Sequence, residues 1–281
     1  MLDQFFTTSK TAQEFVRFFG ESTQNLLDPK KIQFIEPSAG AGDFLAHLPS
    51  QTIALDIDPQ CKEIHKQDFF TYPGPKGINR KDIAIIGNPP FGRRGKLALE
   101  FCKHASKFAD TIAFIVPMCF TKYGIHKHFP LGYKLIAEKK CKQNAFYIPT
   151  GKPYNVGAVF QIWTALNCNS NDLRIYSAPP ISHPDFQLYQ YNNTKQAEKV
   201  FYFPFDFAVP CQGYQNYTRR EKHQKNCERN KQWMLFNCKD KDTTYKILSG
   251  IDYEKLAYQQ VTTTPGFRKH DVIKEYKNVS C

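Results

Sequence analysis

Apolar positions along the chain change period several times, and those changes lay out its architecture. Ala12, Phe15, Val16, Phe18 and Phe19 recur at helical spacing, with Thr8 or Ser9 placed to cap the first turn, which predicts a helix there. Short runs rich in branched and aromatic residues follow at 32–35, 52–58, 83–87 and 111–116, with a more polar run at 64–67. Of these, 83–87 and 111–116, without polar alternation, read as strands buried on both faces. A helix is predicted to start near Asp43 and Phe44, and Leu97, Phe101, Ala105 and Phe108 mark one face of another. The stretch 122–133 is irregular, with Gly, Pro and His. Residues 144–148 and 156–163 read as two strands of an antiparallel hairpin, joined through Pro149-Thr150-Gly151-Lys152-Pro153. The expected fold class is α/β, a doubly wound Rossmann-like sheet with an antiparallel edge hairpin. From about residue 167 polar and turn-forming residues take over, and short aromatic runs such as 201–205 follow. Two domains are therefore expected: 1–166, and a small α+β appendage over 167–281.

Composition narrows the partner class. The chain has 38 Lys and Arg against 26 Asp and Glu, a net charge of +12, with 24 Phe and 15 Tyr. That balance favours a polyanion such as nucleic acid. No apolar run approaches the roughly 18 residues of a membrane span, and Met1-Leu2-Asp3-Gln4 lacks the blocks of a signal peptide. Nine cysteines without a Cys-x-x-Cys pair suit a reduced, intracellular protein, cytoplasmic or, in a eukaryote, nuclear. Between Tyr217 and Lys231, Arg219 and Arg220 lead a basic run interleaved with aromatics, the composition that tracks phosphates and stacks on bases; a solvated charged helix is the alternative. Zinc ligation by Cys211, His223, Cys227 and Cys238 is a rival reading, but only His223 and Cys227 have ligand-like spacing. His126 and His128 flank Lys127 in what reads as a basic solvated loop. No metal site is assigned.

Candidate chemistry centres on Asn88-Pro89-Pro90-Phe91, which ends the run 83–87. Two prolines stop the strand and fix φ, placing an amide, a rigid carbonyl and an exposed aromatic at its carboxyl end. In open α/β sheets ligands bind at that edge. Upstream, Glu36-Pro37-Ser38-Ala39-Gly40-Ala41-Gly42 is a turn of small residues that lets backbone approach a ligand. The run 52–58 ends in Asp56 and Asp58, either placed to bind ribose hydroxyls, and 64–67 is followed by Asp68-Phe69. An acid there can accept from an adenine amine while the ring packs on the base, although a helix-capping role would serve as well.

In this order the motifs resemble those of S-adenosylmethionine-dependent N6-adenine methyltransferases of the γ arrangement, over roughly residues 5–163. The resemblance implies a class I methyltransferase sheet, with S-adenosylmethionine as cofactor. It implies cofactor contacts from Phe6 and Thr7, from Glu36, Ser38, Ala39, Gly40 and Gly42, from Asp56 and Ile57, from Asp68 and Phe69, and from Asn88. Asn88, Pro89, Pro90 and Phe91 would carry the reaction. A second aromatic, one of Phe146, Tyr147 and Tyr154, would complete a sandwich on the target ring with Phe91. Arg219 and Arg220 would contact the nucleic acid, with DNA, as in restriction–modification, preferred to RNA. A base inside a duplex would have to flip out. The short region after Trp163 is compatible with a partner subunit for target recognition, and an inactive nucleic-acid-binding subunit is the alternative of another class. Glutamine-modifying relatives of the motif usually carry Tyr as the fourth residue, where this chain has Phe91.

Overall fold

Seven strands form one sheet in the computed structural model, which describes residues 5–259 and 264–280. In chain order they are β1 (Gln33–Glu36), β2 (Ile53–Asp56), β3 (His65–Lys66), β4 (Ile83–Gly87), β5 (Thr111–Pro117), β6 (Lys134–Lys140) and β7 (Ala158–Thr164). Their lateral order is β3-β2-β1-β4-β5-β7-β6. Strands β1 to β5 pair in parallel, and β7 runs antiparallel to both β5 and β6. The strand order reverses between β1 and β4, so their carboxyl ends, Glu36 and Gly87, flank the switch point where such sheets open a crevice.

The period-2 alternation of the strands sends side chains to two apolar layers. Ile83 and Ile85 of β4 pack with Ala98, Phe101 and Ala105 of α2 (Lys96–Ala105). Ala84 and Ile86 pack with Ala12, Phe15 and Phe19 of α1 (Ser9–Thr23). Thr8 is the cap of α1, its side chain accepting from the Thr11 amide. The doubly wound α/β class expected from the sequence is the one observed.

Three local expectations are corrected. The helix expected near Asp43 is a single 3-10 turn, Leu45–His47, because Pro49 arrives before a second turn can close. Residues 144–148 do not pair with 156–163. The antiparallel edge is β6 with β7, while Phe146–Tyr147 pairs with Phe6–Thr7 and with Pro153–Tyr154 in a separate three-stranded sheet. Strand β6 was hidden by Lys134, Glu138, Lys139 and Lys140, charges that suit an edge and blur an apolar pattern. Phe108 lies beyond the end of α2 yet is buried against the same layer.

The chain parts into two compact units, 1–177 and 178–281. In the second, β8 (Phe186–Tyr191), β9 (Phe207–Pro210) and β10 (Trp233–Cys238) form an antiparallel sheet of order β8-β10-β9. One face packs on α3 (Thr243–Gly250), α4 (Tyr253–Gln259) and α5 (Lys269–Ser280) through residues such as Phe236, Leu248, Leu256 and Ile273. Tyr191, Phe201, Trp233 and Leu235 fill the other. No helix among the described residues is long and apolar enough to cross a membrane.

Candidate active site

At the switch point the ends of β1, β2 and β4 surround a cavity of about 310 Å³. It draws its wall from segments far apart in sequence: the Pro37–Gly40 turn, Asp56 to Asp58, Asp68 to Phe70, and Asn88 to Pro90. Phe5 and Phe6 close one side, with Leu97 and Phe101 of α2 on another. The volume is at the small end of the range for small-molecule sites.

The glycine turn is built for close approach. Gly40 has φ +52°, and a Cβ there would stand 2.8 Å from the Phe6 ring. Phe6 is backed by Tyr147 at 5.5 Å between centroids, and the Tyr147 hydroxyl donates to Asp43 Oδ2 at 2.7 Å. The Gly40 N–H donates to Asp56 Oδ2 at 2.8 Å, while Asp56 Oδ1 accepts from the Asp58 amide at 2.8 Å. Asp56 thus locks the turn and keeps further lone pairs for the cavity. Asp58 and Ile57 also line it and are exposed. Asp68 lines the cavity, and its Oδ1 accepts from the Phe70 amide to cap the 3-10 turn Phe69–Thr71, the helix-capping role weighed for it. Phe69 is only 1% exposed and stacks on Phe101, whereas Phe70 is 40% exposed on the same wall.

Among the described residues, three buried side-chain oxygens have no hydrogen-bond partner: Asn88 Oδ1, Thr7 Oγ1 and Glu36 Oε2. All three residues line a second void of about 30 Å³, together with Ser38, Ala39 and Gly40. Leaving such a group unpaired costs about 1–3 kcal/mol each, so a cluster of them marks polarity kept for a ligand. Ser38 Oγ donates to the Asn88 carbonyl at 3.1 Å, tying the glycine turn to the Asn-Pro-Pro turn. Burial, reinforced by the nearby Asp43 and Asp56, pushes the Glu36 carboxyl well above its ordinary value of 4.5, against one hydrogen bond from the Leu45 amide. The unfolded chain therefore loses the Glu36 proton first. The stability this site contributes is complete below pH 4.5 and declines as pH rises through the raised folded value. Glu36→Gln is expected to flatten that decline in urea midpoints measured from pH 5 to 9; a decline of unchanged steepness assigns it elsewhere.

The aromatic side of the crevice differs from expectation in one respect. Phe91, expected to be exposed, is 8% exposed and packs in the layer beneath α1. Phe5 meets the rings of Phe91, Phe146 and Tyr154 at 5.1, 5.0 and 5.3 Å between centroids. Of the three candidates for a second stacking ring, Phe146 is 1% exposed, Tyr147 is held by Asp43 and Phe6, and Tyr154 is 41% exposed.

Compared with solved structures, the chain is similar to a candidate RNA methyltransferase from Pyrococcus horikoshii, 18% identical, covering 58% of this chain and 88% of that one at a TM-score of 0.43. It is similar to the 23S rRNA methyltransferase ErmE, 16% identical, covering 57% of this chain and 69% of that one, TM-score 0.39. A third similarity is to the Type IIL restriction-modification enzyme MmeI in complex with DNA, 11% identical, covering 96% of this chain and 50% of that one, TM-score 0.40. No family model and no curated protein sequence matches the chain.

Arg219 and Arg220, expected at a nucleic-acid surface, have internal acceptors instead. Arg219 binds Glu221 and both oxygens of Glu228 and lies over Trp233 at 5.0 Å. Arg220 donates to the carbonyls of Tyr217, Arg219, Ser249 and Ile251. The surrounding segment is not a charged helix; its one helical turn is the 3-10 turn Gln224–Asn226. The zinc candidates do not converge, since Cys211 and Cys238 are buried on one face of the second sheet and Cys227 on the other. His126 is also engaged, its Nδ1 accepting from the Ile175 amide and its Nε2 bonding the Phe120 carbonyl. Sequence reasoning missed Phe5, Asp43, Phe70 and Phe101 as parts of the site. Phe5 and Phe70 each adjoin a residue it had named, which was the available signal.

Proposed function

We propose that the chain transfers a methyl group from S-adenosylmethionine to the exocyclic N6 amine of adenine in nucleic acid, with DNA preferred to RNA. One observation carries the reading: Asn88 Oδ1 is a buried acceptor without a partner, at the end of β4, beside a crevice lined by a glycine turn and acids. Those donor and acceptor types fit the cofactor. Asp56 or Asp58 would hold its ribose hydroxyls, Asp68 its adenine amine, and Phe69 with Phe70 its ring, while Gly40 lets the Phe6 ring close over the turn. When bound, the cofactor supplies an electrophilic sulfonium methyl.

This chain's residues must then raise the nucleophilicity of an amine whose lone pair is delocalised into its ring. Asn88 Oδ1 and the Pro89 carbonyl would accept the two amine hydrogens, drawing the nitrogen toward tetrahedral geometry and stabilising the positive charge that grows on it. Pro89 and Pro90 hold those acceptors in place, and Ser38 anchors the Asn88 backbone. Phe91, packed in the apolar layer, would back the target ring from the core side. Tyr154, the most exposed of the three candidates, would be the second stacking ring, which requires the Phe5 ring that touches both Phe91 and Tyr154 to give way to the base. Target selection is assigned to the second unit or to a partner subunit.

Calorimetric titration with S-adenosylmethionine should show one site per chain, and no heat would refute the cofactor assignment. Tyr154→Ala should weaken nucleic-acid binding by about 1–3 kcal/mol, read as KM for the polymer, with cofactor affinity unchanged. An unchanged KM would move the stacking role to Phe5.

A further inference from the structure

The turn that follows the Asn-Pro-Pro-Phe segment carries three cations that the site described above does not use. Arg93, Arg94 and Lys96 are exposed, and among the described residues none of their side chains makes a hydrogen bond or ion pair. Elsewhere in the chain Arg80, Arg174, Arg219 and Arg220 all engage internal acceptors. The turn is tight. Gly95 N–H donates to the Gly92 carbonyl at 3.2 Å, and Ala98 N–H donates to the Phe91 carbonyl at 3.3 Å. A Cβ would meet Leu97 at 2.7 Å from Gly92, and Cys119 Sγ at 2.8 Å from Gly95. Glycine thus occupies two of the three left-handed positions, at φ +63° and +75°. The third, at φ +57°, is Arg94.

The other two non-glycine residues with positive φ among those described are Asn144 and Asn193, a residue type that tolerates this region. Arginine does not tolerate it as well, so Arg94 is held at a cost in stability that no internal contact of its side chain offsets. Pro90 and Leu97, on either side of the three cations in the chain, lie in the cavity wall.

We infer that Arg93, Arg94 and Lys96 form a phosphate grip, holding the nucleic-acid backbone beside the adenine that enters the crevice. This rests on the adenine reading proposed above. Phosphate contacts of this kind position a strand without reading its sequence.

The test is binding of the full chain to short adenine-containing DNA and RNA strands across a range of salt. Each lost phosphate contact reduces the slope of log K against log salt by about 0.7 on single strands and about 0.9 on duplex DNA. Replacing all three residues by Gln should lower the slope by about 2, with S-adenosylmethionine affinity unchanged. Arg94→Gly should raise the melting temperature while lowering the slope, a combination that a purely structural role would not produce. Wild-type binding with an unchanged slope in the triple variant would overturn the grip alone. A wild-type chain that binds neither polymer would overturn the grip and the adenine reading together. The same slope change on DNA and RNA arms, or on one only, supports the grip and identifies the polymer it fits.

Discussion

Asn88→Ala is expected to lower kcat for methyl transfer by about 10²–10³-fold, the loss typical of removing one preorganised polar group at a reacting centre. S-adenosylmethionine affinity should stay within about threefold, because the amide is assigned to the amine rather than to the cofactor. The physical basis is the unpaired Oδ1, buried beside Thr7 Oγ1 and Glu36 Oε2. A side chain held there for stability alone would have found a donor, since an unmatched acceptor destabilises the fold. Alanine removes that acceptor, so the variant should fold at least as well as the parent. Single-turnover rates and cofactor titration together separate the two effects. An unchanged rate would take the acceptor role from Asn88, and a lost cofactor site would make it a cofactor ligand.

Arg174→Ala should cost the first unit about 3 kcal/mol or more of stability, because several buried carbonyls lose a charged donor and each one left unsatisfied costs about 1–3 kcal/mol. The guanidinium is 9% exposed and donates to four carbonyls: Nη1 to Pro130 and Tyr133, Nη2 to His126 and Phe129. It also lies within 6.0 Å of the ring centroids of Phe129, Trp163 and Tyr176. Removing it leaves backbone acceptors of the irregular stretch between α2 and β6 without donors. Arg174→Lys should recover little, because one ammonium cannot span acceptors arranged for a planar fork. Urea unfolding gives the comparison, and a loss below about 1 kcal/mol would show that water replaces the guanidinium.

These two residues also mark what was legible in the sequence. Asn88 follows an uninterrupted apolar strand and precedes two prolines, so its place at a strand end could be read from local pattern alone. The same holds for Asp56, at the end of a run of branched residues, for Gly40 in the small-residue turn after another, and for the apolar periodicity of α1. Arg174 was not legible, because its partners are carbonyls of the irregular stretch 126–133, and carbonyls carry no side-chain signature. Charge density misled at Arg219 and Arg220, whose acceptors are Glu221, Glu228 and backbone brought together by the second unit's fold. Strand β6 failed for the opposite reason, since an edge strand needs few apolar residues. Phe91 was read as exposed because an aromatic after a turn usually is; the packing of Phe5 and Phe146 around it depends on the small sheet formed by Phe6–Thr7, a pairing across much of the first unit.

The most direct measurement is transfer of label from methyl-labelled S-adenosylmethionine to DNA, RNA and protein in parallel, with digestion of the product and identification of the modified residue by mass spectrometry. Label should appear in nucleic acid as N6-methyladenine, formed about 10²–10³-fold more slowly by Asn88→Ala and less efficiently by Tyr154→Ala. Label in protein, label on a base other than adenine, or cofactor binding without transfer to any of the three polymers would contradict the proposed function.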